Sequence, residues 1–356
     1  MIEATDFLVA RDDLHRRRLV RSALPALQAG EALLRIDAFA LTANTVTYAA
    51  FGGEMRYWAF FPAPEGWGRV PCWGFADVME SQAPGIDVGA RYFGFYPIAT
   101  HLAVRPAHAR AGRFVDDAEH RRPLPPVYNA YVSLGPIGAE REALEMLYRP
   151  LFTTAWMLDD MLAEVGFHGA GRLVLSSASS KTAFSLAHLL RSRGVVEVIG
   201  LTSARNLGFV DGLGCYDTVL PYEDIARIPD DALAVYVDFS GAASLRRRLH
   251  ERLRERLIAD WVVGAADWSA RAPYDKTLPG APPAFFFAPT RIEERVATWG
   301  REGYEQRLAA AKEAFFAAAG AWLFVRRERG EAAVDRYWMQ SVEGTSPPEV
   351  GLVLGL

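Results

Sequence analysis

One stretch of the chain, residues 171–190, constrains the fold more than any other. An apolar run at residues 173–175 is long enough for a buried strand, small hydroxylated residues follow, and residues 184–190 supply an apolar helical face. This order predicts a strand, a tight turn and a helix. The helix would direct unpaired backbone N–H groups and the positive end of its dipole at the turn, which suits a phosphate. Lys181, one of only three lysines in the chain, lies at this point and favours a phosphate contact over a solvated side chain.

The length and composition predict a globular protein of about two domains, because 356 residues are too many for one core. A formal net charge of −4 argues against nucleic acid as a partner. The only cysteines, Cys72 and Cys215, exclude a disulfide framework and a cysteine-based structural zinc site. Acidic residues near the N-terminus and the lack of an apolar run of membrane-spanning length predict a cytoplasmic protein without membrane contact.

The pattern of the chain changes at residue 151. Residues 1–150 are rich in glycine, proline and aromatic residues and predict a β-rich domain, with strands at residues 32–40, 75–80, 90–96 and 101–104. Residues 151–290 alternate between helix and strand, which is typical of a parallel sheet covered by helices. The predicted helix is at residues 153–165, and the predicted strands are at residues 173–175, 197–201, 218–220, 234–239, 259–264 and 284–287. Strand patterns return at residues 322–326 and 351–354, so residues 291–356 are predicted to rejoin the first domain.

The predicted helix after Asp238 has a regular apolar stripe. The stripe consists of Leu245, Leu249, Leu253 and Leu257. Arginines and glutamates surround it, and we interpret their charges as a solvated face.

Several stretches carry a family resemblance. Residues 30–36 with 41–44, residues 153–156 and residues 351–354 resemble the first strand, a helix start and the closing strand of the medium-chain dehydrogenase/reductase superfamily, in its zinc-independent quinone-oxidoreductase-like branch. The resemblance implies a Rossmann-type domain with a GroES-like β-barrel domain. It also points to an uncharacterised subfamily, a domain of unknown function, because the cofactor loop is unusual.

That loop is glycine-rich in the superfamily, whereas here Ser177, Ser180 and Ala183 stand at the spaced glycine positions. Glycine permits special backbone angles and close approach of the pyrophosphate. Serine and alanine are the smallest replacements, and serine hydroxyls can donate to phosphate oxygens. The resemblance implies NADP(H) as cofactor, bound by the following candidate residues: Thr154, Ser177, Ser179, Ser180, Lys181, Thr182, Ser203, Arg205, Tyr222, Ser240 and Gly241.

The end of the second predicted strand favours NADP over NAD. An NAD site needs an acid there to hold the ribose hydroxyls, whereas an NADP site needs cationic or hydroxyl groups for the 2′-phosphate. Residues 200–206 contain no acid but include Ser203 and Arg205. Tyr222 stands where similar proteins carry a tyrosine near the adenosine phosphate. The alternative for Arg205 is one more surface arginine.

The resemblance implies Asn44 and Tyr48 as catalytic candidates, because Asn44 matches an active-site asparagine and Tyr48 can donate to a developing oxyanion. Residues 46–48 and 73–75 contain no ligands where zinc-containing relatives carry them, so we predict no metal. An aromatic-rich segment at residues 57–62 suggests a pocket for an apolar or aromatic small molecule, or a lid or subunit contact.

Three functions remain open. The first is a zinc-independent NADPH-dependent reductase of quinones, enones or carbonyls. The second is a non-catalytic or differently catalytic relative that binds another phosphorylated ligand or none. The third is a nucleotide phosphotransferase, because residues 180–182 reproduce the end of a P-loop and Asp238 follows an apolar strand as a magnesium-binding aspartate does, although both P-loop glycines are missing. The apolar run at residues 284–288 predicts an edge strand that pairs in a homodimer.

Overall fold

The structure is a computed structural model that describes residues 2–110, 112–264 and 275–356. The chain divides into two compact units, one formed by Met1–Leu147 with Phe324–Leu356 and the other by Tyr148–Leu323. Among the described residues, no helix has both the length and the apolarity that crossing a bilayer requires.

Strands and helices are numbered in chain order. The strands are β1 (Glu3–Ala10), β2 (Arg17–Ala23), β3 (Ala32–Leu41), β4 (Trp67–Arg69), β5 (Pro71–Ser81), β6 (Arg91–Pro97), β7 (His101–Val104), β8 (Pro106–Arg110), β9 (Arg113–Asp116), β10 (Ala130–Val132), β11 (Arg172–Leu175), β12 (Glu197–Thr202), β13 (Thr218–Pro221), β14 (Ala234–Asp238), β15 (Leu257–Val262), β16 (Pro283–Phe285), β17 (Phe324–Arg329) and β18 (Val350–Gly355). The α-helices are α1 (Ala43–Ala50), α2 (Gly138–Glu164), α3 (Lys181–Arg193), α4 (Leu207–Gly212), α5 (Ala243–Leu253), α6 (Ala288–Ala319) and α7 (Glu331–Val342).

The first unit is mainly antiparallel β-structure. β1 pairs with β2 and β4, and a larger sheet has the order β17-β18-β3-β5-β6-β10-β9-β8, with β7 also paired to β3. β18 runs parallel to β17 and antiparallel to β3, so that Leu352, Val353 and Leu354 lie opposite Leu41, Ala40 and Phe39. The last strand of the chain therefore joins a sheet whose other members, apart from β17, all lie before residue 133.

The second unit contains a six-stranded parallel sheet in the order β13-β12-β11-β14-β15-β16. Every residue of the central strands β11 and β14 is buried, as expected for a parallel sheet covered on both faces. Alternation of helix and strand thus leads to the predicted parallel sheet, and the predicted α/β class is confirmed.

The boundaries of the units differ from the predicted ones at residues 150 and 290. The first lies three residues earlier, within α2. The second unit ends at Leu323, beyond the predicted residue 290, and it therefore includes all of α6, which packs against α2. The ring centroids of Phe152 and Phe315 are 4.8 Å apart in this packing, and Arg291 pairs with Asp160 at 2.6 Å.

Two helix predictions are corrected by the structure. The helix predicted from residue 153 already begins at Gly138, and Pro150 lies inside it without ending it. The stripe predicted to continue to Leu257 stops at Leu253, because Arg254 takes a φ of 48° and a ψ of −128° that end α5. Leu257 instead begins β15.

The side chain of Trp58 is held in a slot between two glycines. A Cβ atom at Gly52 would lie 2.2 Å from the indole ring, and one at Gly68 would lie 2.3 Å from it. Trp58 is only 7% exposed as a result. Neither glycine can be replaced without moving this ring.

Candidate functional site

The candidate site of the second unit lies at the carboxyl edge of its parallel sheet. The strand order reverses between β11 and β14, because β12 and β13 continue on one side and β15 and β16 on the other. In open α/β sheets, ligands bind in the crevice that such a reversal opens at the carboxyl ends of the strands. The segments that leave β11 and β14, residues 176–180 and 239–242, therefore frame this site.

Residues 176–180 form the predicted tight turn, and α3 begins at Lys181. The Ser180 hydroxyl caps the helix by accepting a hydrogen bond from the backbone N–H three residues on, at 3.3 Å. Lys181 and Thr182 occupy the first turn, where helical N–H groups lack partners within the helix. Ser177 has a φ of 50°, a left-handed conformation that glycine adopts readily and other residues rarely take. The turn thus keeps the backbone shape of a glycine position without a glycine.

Side chains that follow β12 and β13 form hydrogen bonds with this turn. The backbone N–H of Ser177 donates to the hydroxyl of Tyr222, which follows β13, at 3.2 Å. The side-chain amide of Asn206, which follows β12, donates to the hydroxyl of Ser179 at 3.0 Å. Three successive strand-to-helix turns are therefore joined at one edge of the sheet, and three of the predicted cofactor residues lie in these contacts.

Sequence reasoning misses two residues of this arrangement, Asn206 and Tyr216. The Tyr216 hydroxyl donates to the carbonyl oxygen of Ala178 at 2.8 Å. Its ring lies so close to Gly200 on β12 that a Cβ there would come within 2.8 Å of it. No short-range pattern marks either residue, and only the position of Asn206 directly after Arg205 hints at a role.

Ser203 and Arg205, predicted to bind a 2′-phosphate, lie in the turn after β12. Residues Ala204–Asn206 form one 3-10 turn, and Arg205 is exposed. The Ser203 hydroxyl oxygen is buried and has no hydrogen-bond partner in the part of the chain that the structure describes. A buried hydroxyl without a partner is unfavourable.

Ser240 and Gly241, the predicted residues after β14, are held by the carboxylate of Asp238. One oxygen of Asp238 accepts from the Ser240 hydroxyl at 2.7 Å, from the Ser240 N–H at 2.9 Å and from the Gly241 N–H at 3.1 Å. The same oxygen accepts from the hydroxyl of Ser176 at 2.7 Å. Asp238 therefore ties the turn after β11 to the turn after β14.

A buried ion network continues from Asp238 to β15. Arg246 on α5 donates to the second oxygen of Asp238 at 2.6 Å and lies 2.9 Å from a carboxylate oxygen of Asp260. His250 contacts the same oxygen of Asp260 at 3.0 Å. Asp238, Asp260 and His250 have fully buried side chains, and that of Arg246 is 11% exposed. The prediction that the charges of this helix form a solvated face is therefore wrong for Arg246.

This network also bears on the phosphotransferase alternative. A magnesium-binding aspartate presents its oxygens to the metal and its waters. Both oxygens of Asp238 instead accept hydrogen bonds from protein groups, and the side chain is fully buried. The geometry of Asp238 is that of a structural anchor.

Thr154, the remaining candidate of the second unit, lies in the middle of α2 and not at a helix start. Its hydroxyl donates to the carbonyl oxygen of Pro150 in the same helix at 3.2 Å. Its contact with a cofactor stays a prediction.

In the first unit, the candidates Asn44 and Tyr48 lie on α1, directly after β3. They are one helical turn apart and share a face. Tyr48 is 5% exposed, and its hydroxyl accepts a hydrogen bond from the indole N–H of Trp73 on β5 at 3.1 Å. Burial raises the pKa of Tyr48, while hydrogen bonding from Trp73 and Asn44 acts in the opposite direction.

The aromatic segment predicted to line a pocket or form a lid is part of the core. Tyr57, Phe60 and Phe61 are 8%, 0% and 2% exposed. They pack around Tyr48, whose ring centroid lies 4.6 Å from that of Tyr57. The guanidinium of the buried Arg121 lies 5.1 Å from the centroid of the Phe61 ring. Because these rings contact each other, little of their surface is left to receive a substrate.

No group of three or more His, Cys, Asp or Glu residues that could hold a metal ion occurs in residues 2–110, 112–264 and 275–356. Independence of zinc stays a prediction from residues 46–48 and 73–75.

The fold agrees with the predicted one. It combines a Rossmann-type parallel sheet with a GroES-like β-domain, as in the solved structures described below, and the predicted resemblance in fold is confirmed. The chain belongs to the family described as "protein of unknown function (DUF2855)", which matches residues 39–347. No curated protein matches it.

Solved structures share the fold over nearly the whole chain. CurA from Vibrio vulnificus in complex with NADPH is 15% identical, with a TM-score of 0.66, over 99% of this chain and 98% of that one. A putative NADPH:quinone reductase from Mesorhizobium loti is 14% identical, with a TM-score of 0.64, over 99% and 98%. The human synaptic vesicle membrane protein VAT-1 homolog-like protein is 14% identical, with a TM-score of 0.54, over 100% and 99%. At these identities the likeness establishes the fold.

Proposed function

We propose that this chain is an NADPH-dependent oxidoreductase that reduces quinones, enones or carbonyls without zinc and acts in the cytoplasm. The observation that carries the proposal is the joining of three strand-end turns at the switch point of the sheet. Hydrogen bonds between Ser177 and Tyr222 and between Ser179 and Asn206 bring together Ser177, Ser179 and Tyr222, which the sequence assigns to one cofactor. The proposal also draws on the fold, which the chain shares with a protein crystallised with NADPH.

The polar groups of these turns fit the phosphates of NADPH. The N–H groups and hydroxyls of the first turn of α3, with Lys181, would hold the pyrophosphate. Ser203 and Arg205 would hold the 2′-phosphate, and the Ser203 hydroxyl, which has no hydrogen-bond partner among the described residues, could donate to it. The segment at Ser240 and Gly241 would lie near the nicotinamide. When bound, NADPH supplies a hydride.

The groups that would polarise a substrate oxygen are the side chains of Asn44 and Tyr48 on α1. A phenol and an amide both donate hydrogen bonds to a developing negative charge, which lowers the barrier to its formation.

Nucleotide titration tests this proposal. NADPH should bind the wild-type chain. Arg205→Ala should weaken the binding of NADPH by about tenfold or more and leave the binding of NADH nearly unchanged, because a charge-assisted bond to the 2′-phosphate contributes roughly 1.5–3 kcal/mol. Lys181→Ala should weaken both nucleotides if Lys181 contacts the shared pyrophosphate. If Lys181 instead contacts the 2′-phosphate, its variant should behave like Arg205→Ala.

A matched control lies at the far end of the same helix. Arg191 pairs with Asp217 at 2.9 Å, and Arg191→Ala should leave both affinities unchanged. Fluorescence titration measures binding, and a thermal melt confirms that each variant is folded. A wild-type chain that binds neither nucleotide at millimolar concentration would remove the reductase proposal and favour another phosphorylated ligand or none.

We also propose that the chain forms a homodimer through β16. This strand lies at the edge of the parallel sheet, and Phe285 on it is 58% exposed and stacked on Phe287 at 6.1 Å. An exposed apolar edge is a template for pairing with a second strand. Light scattering at micromolar concentration should give the dimer mass, and Phe285→Asp should give the monomer, whereas Val195→Asp, at another exposed apolar position, should not. A monomeric wild type would contradict the proposal.

A further inference from the structure

His250 is fully buried, and an oxygen atom lies against each nitrogen of its ring. Its Nδ1 is 2.7 Å from the carbonyl oxygen of Pro279, and its Nε2 is 3.0 Å from a carboxylate oxygen of Asp260. The segment that supplies the carbonyl is itself held, because the backbone N–H of Ala281 donates to the carbonyl oxygen of Leu257 at 2.8 Å. Both ring nitrogens therefore face acceptors.

These two contacts require one proton more than a neutral imidazole carries. A neutral imidazole has one N–H and one lone pair, and a backbone carbonyl oxygen can only accept. Nδ1 therefore carries a hydrogen, which leaves the lone pair of Nε2 facing a carboxylate oxygen at 3.0 Å. Two acceptors at that distance repel each other unless a proton lies between them. His250 and Asp260 thus share one proton in addition to the hydrogen on Nδ1.

The shared proton balances the charge of the buried network. Among the described residues, the other charged members are Arg246 and the carboxylates of Asp238 and Asp260. One arginine and two carboxylates leave one negative charge in excess, and the proton cancels it. Tyr236 on β14 borders the same groups, and burial raises its pKa well above the ordinary value, so its phenol stays neutral. An excess charge in so buried a place is strongly unfavourable.

The network holds both turns of the candidate cofactor site. Arg246 donates to one oxygen of Asp238, and the other oxygen accepts from the hydroxyl of Ser176. The Ser176 hydroxyl in turn accepts from the backbone N–H of Phe239, which follows β14, at 2.9 Å. A shift of Asp238 would therefore disturb the turn after β11 and the turn after β14 together.

We propose that His250 is a positioning residue for the cofactor site, because the proton that it shares with Asp260 neutralises the network that fixes Asp238 between the two turns. The role deepens the proposed NADPH site and rests on it. His250 acts through Arg246 and Asp238 and not on the cofactor itself. A neutral residue at this position would leave an excess negative charge, and repulsion between the two carboxylates would loosen the turns that Asp238 holds.

Two variants that differ in charge test this role. His250→Gln keeps a donor for Asp260 but cannot carry a charge. We expect the Kd for NADPH to rise by about tenfold or more, and the amides of residues 176–180 and 239–242 to exchange faster by a similar factor. The double variant His250→Gln with Asp260→Asn also removes a negative charge, while the asparagine oxygen can still accept from Arg246. This double variant should therefore return both measurements towards the wild-type values.

The double variant separates charge balance from packing. If the two side chains only fill space, their effects add, and the double variant should bind NADPH more weakly than His250→Gln. That result overturns the proposal. If His250→Gln does not fold, the double variant should fold, and its failure to fold would also count against the role. The matched control is His15→Gln, because His15 lies 3.2 Å from Asp13 in an exposed pair, and this variant should keep the wild-type Kd.

Amide exchange needs no cofactor and therefore separates this role from the proposed function. A wild-type chain that binds no NADPH overturns the proposed function, whereas the exchange rates of the two turns still test the charge balance of the network. Wild-type exchange rates in His250→Gln overturn the positioning role alone.

Discussion

Replacing Arg246 by methionine should strongly destabilise the second unit. Methionine keeps much of the apolar stem of arginine but removes the charge that lies between two fully buried carboxylates, 2.6 Å from Asp238 and 2.9 Å from Asp260. Removing one partner from a buried ion pair leaves an uncompensated charge and costs about 3–5 kcal/mol. For a unit of this size, 1 kcal/mol corresponds to roughly 2–4 °C, so the melting temperature should fall by about 6–20 °C.

The neighbouring residue is a matched control. Arg247 is on the same helix and pairs with Asp275 at 2.9 Å, but its side chain is 52% exposed. An exposed pair contributes only about 0–1 kcal/mol, so Arg247→Met should change stability by no more than that. Far-UV circular dichroism during thermal and urea unfolding measures both variants.

The hydrogen bonds of Asp238 also predict which other segments become more mobile in Arg246→Met. Since Asp238 holds Ser176 and Gly241, Arg246→Met should speed amide hydrogen exchange in residues 176–180 and 239–242. If the free energy of unfolding of Arg246→Met lies within 1 kcal/mol of the wild-type value, the reasoning is refuted, because the buried carboxylates would then be stable without the arginine.

Two further predictions concern the first unit and the thiols. Gly68→Ala should lower the free energy of unfolding by roughly 1–3 kcal/mol, because its methyl group would lie 2.3 Å from the Trp58 ring. The control Gly53→Ala, whose methyl group would meet no heavy atom within 4 Å apart from those of its chain neighbours, should be nearly neutral. Equal stabilities of the two variants in urea unfolding would contradict the close packing of Trp58. Cys72 and Cys215 should not react with Ellman's reagent at pH 8 until the chain is unfolded, because both thiols are buried. Burial raises the pKa of Cys215 to about 12 and the pKa of Cys72 well above its ordinary value. Rapid labelling of the native protein would contradict this prediction.

The central turn and several strands are predictable from sequence because their signals are local, whereas β1, β2, β4, β8, β9 and β10 are not predicted. β7 spans the predicted residues 101–104, and α3, which begins at Lys181, carries the apolar face predicted at residues 184–190. A buried strand needs only a short apolar run, and a helix start needs a capping residue such as Ser180, so neighbouring residues are sufficient.

The contacts that shape the candidate sites are not predictable in this way because they join distant residues. Ser179 meets Asn206, and Ser176 meets Asp238, across 27 and 62 positions of the chain. Arg246 sits in a helix rich in surface charges, and nothing in its sequence context separates it from Arg247. Only strand order, which brings β11 beside β12 and β14, shows which polar residues share a location.

The conformation of the turn at residues 176–180 depends on residues outside it. The conformation of a glycine-rich turn is set by its own glycines, whereas this turn is held by hydrogen bonds with Tyr222, Tyr216 and Asn206. Substitutions at those three positions would reshape the turn while its serines stay unchanged. Diversity of ligands among related chains should therefore follow the residues after β12 and around β13 more closely than the turn itself.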